Sequence, residues 1–232
     1  MALPPCGTLL DFNGVLVDDE PLHYAAFADV MAPLGLVLSW EAYLDKYLAY
    51  DDPGAATAML RDAGKTLRAE ELHSLLEKKN AAYERRSAEG LVFFSGARAF
   101  VEQRAQAGPV IIVSGARETE IDQALTHLGV RNLITSIVSA GSTQACKPDP
   151  EGYVLGLARL QEALGPSTTG RVVAVEDSPG GVQAARAAGV AVAAVTNTVD
   201  EAALRAAGAT LVADHLDALT ASELAQLAGA LS

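Results

Sequence analysis

Four short segments carry side chains whose chemistry could combine in one site. Asp11 offers a carboxylate, Ser114 a hydroxyl at the start of a predicted helix, Lys147 a positive charge next to a proline, and Glu176–Asp177 two adjacent carboxylates. A carboxylate can accept a transferred group as a nucleophile. A helix N-terminus binds anions, an ammonium binds phosphate, and paired carboxylates suit a hard divalent cation. The segments therefore predict a nucleophile, an anion-binding site, a positive charge and a pair of metal ligands.

Each segment also has a structural interpretation that needs no ligand. Asp11 and the Asn13-Gly14 pair could form a turn, and Ser114 could cap a helix beside Gly115. Lys147 could be a solvated surface lysine, and the acidic pair could cap the following helix. Convergence of the four segments favours a site over these separate interpretations.

Convergence is expected because each segment follows a predicted strand. Continuous apolar runs without alternation are typical of strands buried on both faces of a parallel sheet. The predicted strands are Thr8–Leu10, Val110–Val113, Ile134–Val138, Val172–Val175 and Ala191–Val195. The carboxyl ends of parallel strands meet at one edge, where open α/β sheets bind ligands.

Helices are predicted between and after these strands: Ala97–Ala107, Glu118–Leu128, Glu151–Leu164, Gly180–Ala188, Ala202–Ala207 and Ala221–Ala230. Strands that alternate with helices predict an α/β fold, a Rossmann-like doubly wound parallel sheet.

The segment after the first strand has a different pattern. Four amphipathic helices and no strand are predicted there: Pro21–Leu34, Trp40–Leu48, Ala55–Ala63 and Ala69–Glu89. Apolar residues such as Trp40 and Met59 are interpreted as the core of this helical segment. We therefore predict a catalytic core of residues 1–16 and 92–232, interrupted by an all-helical cap of residues 17–91.

Composition narrows the class of protein. The 232 residues are 50% hydrophobic and carry 17 Lys and Arg against 29 Asp and Glu, a net charge of −12. This acidic balance argues against a nucleic-acid partner. The first ten residues do not resemble a secretory signal, and the uncharged runs are too short to span a bilayer. Cys6 and Cys146 are interpreted as reduced thiols, so we expect a cytoplasmic protein. We expect it to be a monomer or a weak homodimer.

These motifs resemble the haloacid dehalogenase superfamily. The matching residues are Asp11–Val15, Ser114, Lys147–Pro148 and Glu176–Ser178. The resemblance covers nearly the whole chain, and Leu16–His23 and Asp177–Ala185 are similar to the subgroup of β-phosphoglucomutases and phosphoglycolate phosphatases. That subgroup has a helical cap after the first motif.

The resemblance implies a Mg²⁺-dependent phosphatase that acts on a small phosphorylated metabolite. Asp11 would form an aspartyl phosphate, and Ser114, Gly115 and Lys147 would bind the phosphoryl group. Mg²⁺ would be held by Asp11, the backbone carbonyl of Asn13, Glu176 and Asp177. A β-phosphoglucomutase-like isomerase and a catalytically impaired binder of phosphate ligands are the alternatives.

Position 13 departs from the pattern of the phosphatases and mutases, which carry an acid–base aspartate there. The Asn13 amide does not exchange a proton at neutral pH, so we expect turnover to be reduced. Three explanations for Asn13 are open. It is the natural residue, it is an introduced substitution, or it belongs to an Asn-Gly pair that deamidates in part to aspartate. Dehalogenases and phosphonate hydrolases also replace this aspartate, but Glu176–Asp177 favours a metal and a phosphate over a haloacid.

The cap is expected to choose the substrate. The loop Tyr47–Gly54 carries Asp51 and Asp52 but no arginine, which weighs against a bisphosphate mutase, although Lys46, Lys78 or Lys79 could supply a cation. His23 lies four residues after Asp19, so the two side chains can share one helix face, and we predict that His23 binds substrate.

Overall fold

The computed structural model describes residues 6–48, 50–164 and 171–229. Its strands are β1 (Gly7–Leu10), β2 (Val17–Asp18), β3 (Val92–Phe93), β4 (Val110–Val113), β5 (Ser136–Val138), β6 (Val172–Glu176), β7 (Ala191–Val195) and β8 (Leu211–Ala213). Its α-helices are α1 (Glu20–Met31), α2 (Trp40–Lys46), α3 (Asp52–Asp62), α4 (Ala69–Glu89), α5 (Ala97–Ala107), α6 (Glu118–Leu128), α7 (Glu151–Leu164), α8 (Pro179–Ala187), α9 (Glu201–Ala207) and α10 (Ala221–Gly229). Short 3₁₀ helices cover Ala32–Leu34, Arg131–Leu133, Ala140–Ser142 and Leu216–Ala218.

Six strands form a parallel sheet in the order β5-β4-β1-β6-β7-β8. β1 lies at its centre, where Leu9 pairs with Ile111 of β4 on one side and with Ala174 of β6 on the other. The chain therefore builds the sheet outward in both directions from β1, which creates a crevice at the carboxyl ends of β1, β4 and β6. The predicted Rossmann-like α/β fold is confirmed.

Buried aliphatic residues explain why these runs form strands. Every residue of β1, β4 and β7 is buried. The core around them includes Leu9, Ile111, Val192, Leu160 of α7 and Val182 of α8. Apolar surface removed from water on both faces stabilises such a sheet more than alternation would allow.

Some elements differ from the expected ones. The strand predicted over Ile134–Val138 begins only at Ser136, because the 3₁₀ turn Arg131–Leu133 occupies the approach to it. β8 was not predicted, since its three residues are only partly buried at the edge of the sheet. Of the predicted segments, Ala230 and the first five residues lie outside the described residues, as does Ala49 in the Tyr47–Gly54 loop.

The chain divides into two compact units. One runs to Asp18 and resumes at Val92, and the other is Asp19–Leu91. Val17 and Asp18 were assigned to the cap by sequence but belong to the first unit, because they form β2 and pair in antiparallel fashion with Phe93 and Val92 of β3.

The second unit contains α1–α4 and has its own apolar core. Phe27, Met31, Tyr43, Met59 and Leu75 are buried there, and Trp40 packs against them while remaining partly exposed. The prediction of a helical segment without strands holds for its described residues. No helix in the described part of the chain is long and apolar enough to cross a membrane.

Candidate active site

Backbone hydrogen bonds fix the predicted residues at the carboxyl edge of the sheet. The Asp11 N–H donates to the Val175 carbonyl at 3.0 Å, and the Ser114 N–H donates to the Val138 carbonyl at 2.9 Å. Both bonds continue the strand ladders by one residue, so the two side chains are placed by the sheet and not by a flexible loop. Glu176 is the last residue of β6, and Asp177 follows it.

Three of these side chains form a buried acidic cluster. Asp11, Glu176 and Asp177 are each 6% exposed or less, and each offers a carboxylate oxygen within 4.8 Å of the others. Lys147 extends into the cluster from the segment between β5 and α7. The peptide bond between Lys147 and Pro148 is cis. Its Nζ donates to Asp11 Oδ1 at 2.6 Å and to Glu176 Oε1 at 2.7 Å.

Charge is not balanced among these four groups, since three carboxylates face one ammonium. Burial, reinforced by the charge of Glu176, raises the pKa of Asp11 to about 7 despite the opposing effect of Lys147. Burial and the charges of Asp11 and Glu176 also raise the pKa of Asp177. Burial alone would lower the pKa of Lys147, but Asp11 and Glu176 outweigh it and raise that pKa.

A divalent cation fits this arrangement. Hard cations take carboxylate oxygens, and a bound cation would offset the excess negative charge that now favours protonation of Asp11 and Asp177. Gly14 supports the fit, because a Cβ at that position would lie 1.9 Å from Asp177 Oδ2. A glycine there lets the backbone after Asp11 approach the acidic cluster closely.

Ser114 and Asn13 form the second part of the site. The Ser114 hydroxyl donates to Asn13 Oδ1 at 3.2 Å and accepts from the Ala116 N–H at 3.1 Å. Gly115 is exposed, with open space where a Cβ would project. Ser114, Gly115 and Lys147 line one cavity with Tyr153, which places the predicted phosphate-binding residues together. The ligand role of the Asn13 backbone carbonyl stays a prediction.

His23 lies in the second unit, within a polar cluster at the start of α1. Its Nε2 is 3.4 Å from Asp19 Oδ2, as the four-residue spacing predicts, and its Nδ1 is 2.6 Å from Lys79 Nζ. Lys79 is completely buried and donates to Asp52 Oδ2 at 2.6 Å, while the Tyr83 hydroxyl donates to Asp19 at 2.5 Å. Burial and the charge of Lys79 lower the pKa of His23, but the hydrogen bond to Asp19 and the charges of Asp19 and Asp52 together raise it.

Several residues that support the acidic cluster were not singled out by sequence. The Tyr153 hydroxyl donates to Glu176 Oε1 at 2.6 Å, and the Thr198 hydroxyl donates to Asp177 Oδ2. Asn197 Nδ2 donates to the Gly14 carbonyl at 2.8 Å. Asn197 and Thr198 follow β7, so the rule that drew attention to Asp11 and Ser114 would also have found them. Tyr153 carried only a weaker signal, since a buried tyrosine hydroxyl usually needs a partner.

We expect Gly14→Ala to lower the melting temperature more than Gly189→Ala does. Both glycines have a positive φ, 73° and 79°, so each substitution carries a left-handed backbone penalty of roughly 1–2 kcal/mol. Only at Gly14 does the added Cβ also meet a carboxylate, whereas nothing lies within 4 Å at Gly189. Thermal melts of the two variants check this difference, and equal losses would show that the backbone moves away from Asp177 without cost.

Tyr153→Phe is expected to destabilise the protein by about 1.5–3 kcal/mol, the range for a hydrogen bond to a charged group. The tyrosine is fully buried and its hydroxyl contacts Glu176, so the lost donor is not replaced by bulk water. Urea unfolding measures the change, with Tyr50→Phe as a control because Tyr50 is 51% exposed. Equal stability of both variants would remove Tyr153 from the support of the cluster.

Comparisons with known proteins show the family to which the chain is similar. The pattern of the family described as haloacid dehalogenase-like hydrolase matches residues 8–195. Protein CbbY of Cupriavidus necator is 31% identical over 222 residues, which cover 90% of this chain and 84% of that protein. Fructose-1-phosphate phosphatase YqaB of Escherichia coli is 28% identical over 189 residues, covering 79% and 93%.

The fold is also that of a solved structure. CbbY from Rhodobacter sphaeroides, crystallised in complex with phosphate, superposes with a TM-score of 0.81 at 22% identity, covering 94% of this chain and 98% of the other. At that identity the likeness concerns the fold, while the family match rests on the sequence of residues 8–195. From that match, and from the 31% identity to CbbY of Cupriavidus necator, the chain belongs to the haloacid dehalogenase-like hydrolases.

Proposed function

We propose that this hydrolase is a Mg²⁺-dependent phosphatase of small phosphomonoesters that works through an aspartyl phosphate on Asp11. The observation that carries the proposal is the contact of Asp11 with Lys147 inside a buried cluster of three carboxylates at the carboxyl edge of the sheet. The name of one relative, a fructose-1-phosphate phosphatase, supports the substrate class, and the structurally similar CbbY from Rhodobacter sphaeroides was crystallised with phosphate.

Each core residue has a role that follows from its charge and contacts. Lys147 reduces the repulsion between the Asp11 carboxylate and an approaching phosphate, and it stabilises charge that develops on the phosphoryl oxygens. Ser114 and Gly115 bind the phosphoryl group at the start of the segment that enters α6. We assign His23 to substrate binding from its sequence position, and Lys79 and Asp19 orient its ring.

Mg²⁺ would be held by Asp11, Glu176, Asp177 and the backbone carbonyl of Asn13. When bound, it supplies charge neutralisation between the carboxylate and the phosphate. Thr198 and Asn197 orient the groups around it, through Asp177 and through the carbonyl of Gly14. We also propose that the protein is cytoplasmic and that it is a monomer or a weak homodimer.

A screen of phosphorylated metabolites tests this function. Release of inorganic phosphate is measured with and without Mg²⁺ for the unsubstituted chain and for Asp11→Asn. We expect release from a small sugar phosphate or phosphoglycolate-like ester that needs both Mg²⁺ and Asp11. Interconversion of sugar phosphates without release would identify a mutase instead. Tight Mg²⁺-dependent binding without turnover, unchanged by Asn13→Asp, would identify a binder of phosphate ligands.

Direct evidence for the metal comes from thermal melts in the presence of Mg²⁺. A ligand at 100 times its dissociation constant stabilises the folded state by about 2.7 kcal/mol. We expect Asp177→Asn to raise the melting temperature of the metal-free protein, because it removes one of three crowded carboxylates, and to weaken the Mg²⁺ response. An identical Mg²⁺ response in both proteins would place the metal elsewhere.

A further inference from the structure

A buried lysine of the second unit contacts a histidine ring and a carboxylate at the same time. Lys79 of α4 is completely buried, and its Nζ lies 2.6 Å from Asp52 Oδ2 at the start of α3 and 2.6 Å from His23 Nδ1 of α1. An ammonium group has three donors and no acceptor. The Nδ1 atom must therefore accept this hydrogen bond, which requires a neutral imidazole with no hydrogen on Nδ1.

The other ring nitrogen of neutral His23 then carries the hydrogen. His23 Nε2 lies 3.4 Å from Asp19 Oδ2, and the ring packs against Tyr83 with the two centroids 4.4 Å apart. In a histidine, the hydrogen bond made by one ring nitrogen sets the protonation of the other. The contacts of the ring therefore place the hydrogen on Nε2, facing the Asp19 carboxylate.

Protonation of His23 would turn its contact with Lys79 into a repulsive one, because an N–H group and an ammonium would face each other across 2.6 Å. The protonated ring has another partner close by, since Nδ1 is 3.9 Å from Asp52 Oδ1. A small movement of the ring would let Nδ1 donate to Asp52 Oδ1 while Lys79 keeps its bond to Oδ2. One proton on His23 would thus exchange the partner of the ring from Lys79 to Asp52.

The charges around the ring favour this exchange, because three carboxylates lie near it and Lys79 is their ammonium partner. The charged and titratable groups around the ring are Asp19 before α1, Glu20 of α1, Asp52 of α3, Lys79 and Tyr83 of α4, and Tyr43 of α2, which donates to Glu20. Burial and Lys79 lower the pKa of His23, but Asp19 and Asp52 raise it above the ordinary value of 6.5. The ring therefore gains its proton near neutral pH.

We propose that His23 and Lys79 form a pH-operated switch in the second unit. When His23 is neutral, Lys79 bridges it to Asp52. When His23 is protonated, the ring pairs with Asp19 and Asp52 and its bond with Lys79 breaks. Asp52 belongs to the Tyr47–Gly54 loop, so the switch changes how this loop is held to α1. The inference goes beyond the proposed function and does not depend on it, because a chain without phosphatase activity would show the same exchange.

Nuclear magnetic resonance of the ring nitrogens tests the tautomer in the unsubstituted protein. At about pH 9, where histidine is neutral, we expect the His23 signals of a bare Nδ1 and a protonated Nε2. The His23 signals are assigned by their loss in His23→Asn, and the exposed rings of His73, His127 and His215 are internal references. A hydrogen on Nδ1 of His23 would overturn the proposal, because that nitrogen could not then accept from Lys79.

A pH titration of the same sample tests the exchange of partners. We expect the ring nitrogens of His23 and the backbone amide of Asp52 to change with one common midpoint, because both groups take part in the new pair. An Asp52 amide that does not respond at the His23 midpoint would show that protonation leaves the loop as it was, and the switch would be wrong.

Lys79→Met tests whether the ammonium acts on the ring. Methionine keeps most of the aliphatic volume and removes the charge, so the His23 midpoint should shift upward. Lys78→Met is the matched control, because Lys78 is exposed on the same helix, and it should leave the midpoint unchanged. An unchanged or lower midpoint in Lys79→Met would overturn the proposal. If that variant does not fold, the tautomer and the titration of the unsubstituted protein decide.

Discussion

Asn13→Asp is expected to raise the rate of phosphate release from an alkyl phosphomonoester by about 10²–10⁴-fold, the usual contribution of a positioned acid–base group. The side chain lies two residues after Asp11 and accepts a hydrogen bond from Ser114, so a carboxylate at this position would begin within reach of the hydroxyl that we propose binds phosphate. The gain should appear mainly in kcat, because the proton is transferred in the transition state. Steady-state phosphate release at saturating Mg²⁺ measures it.

The same substitution carries a cost in stability that provides an internal check. It adds a fourth carboxylate two residues after Asp11, whose cluster of three carboxylates has one ammonium, that of Lys147, among its described contacts. We therefore expect a lower melting temperature without Mg²⁺ and a larger stabilisation on adding it. Asn132→Asp controls for the change of net charge, because Asn132 is exposed. If the substituted protein is no faster with any phosphomonoester, position 13 does not have the assigned role.

Residues at the carboxyl ends of long apolar strands could be placed from the sequence. Asp11, Ser114 and Glu176 follow runs whose burial fixes them as parallel strands, so their common edge follows from topology without knowledge of any side-chain contact. The support of these residues could not be predicted in the same way. That Tyr153 of α7 contacts Glu176 of β6 depends on how helix and sheet pack, which local patterns do not encode.

In the second unit, too, the helices could be predicted from the sequence but the side-chain contacts between them could not. Its helices follow from amphipathic spacing, and α4 has the predicted bounds. The burial of Lys79 does not follow, because lysine is almost never fully buried unless paired. Its partners, Asp52 and His23, are distant in sequence and reach it only when three helices pack. Lys79 is therefore the cation that contacts Asp52 in the Tyr47–Gly54 loop. From the sequence alone, it was only one of three lysines that could supply a cation there.

Lys147→Met should lower phosphate release by at least about 10²–10³-fold, the loss found when one donor to a developing oxyanion is removed. The lysine is the ammonium that contacts both Asp11 and Glu176, at 2.6 and 2.7 Å. Methionine preserves most of the aliphatic volume but leaves Asp11, the proposed nucleophile, next to an uncompensated carboxylate. Repulsion between Asp11 and the phosphate then rises at the moment when the O–P bond forms.

Stability provides a second readout for this variant. Breaking a fully buried ion pair costs about 3–5 kcal/mol, and we expect less here because the Lys147 side chain is 23% exposed. The loss should be largest without Mg²⁺ and should shrink when it is added, since a bound cation takes over part of the charge balance. Lys78→Met is the control, because Lys78 is an exposed lysine of α4. The variant could instead lose activity while its melting temperature equals that of the unsubstituted chain, both with and without Mg²⁺. That result would show that Lys147 acts on the phosphate alone and that the charges of the carboxylates are balanced without it.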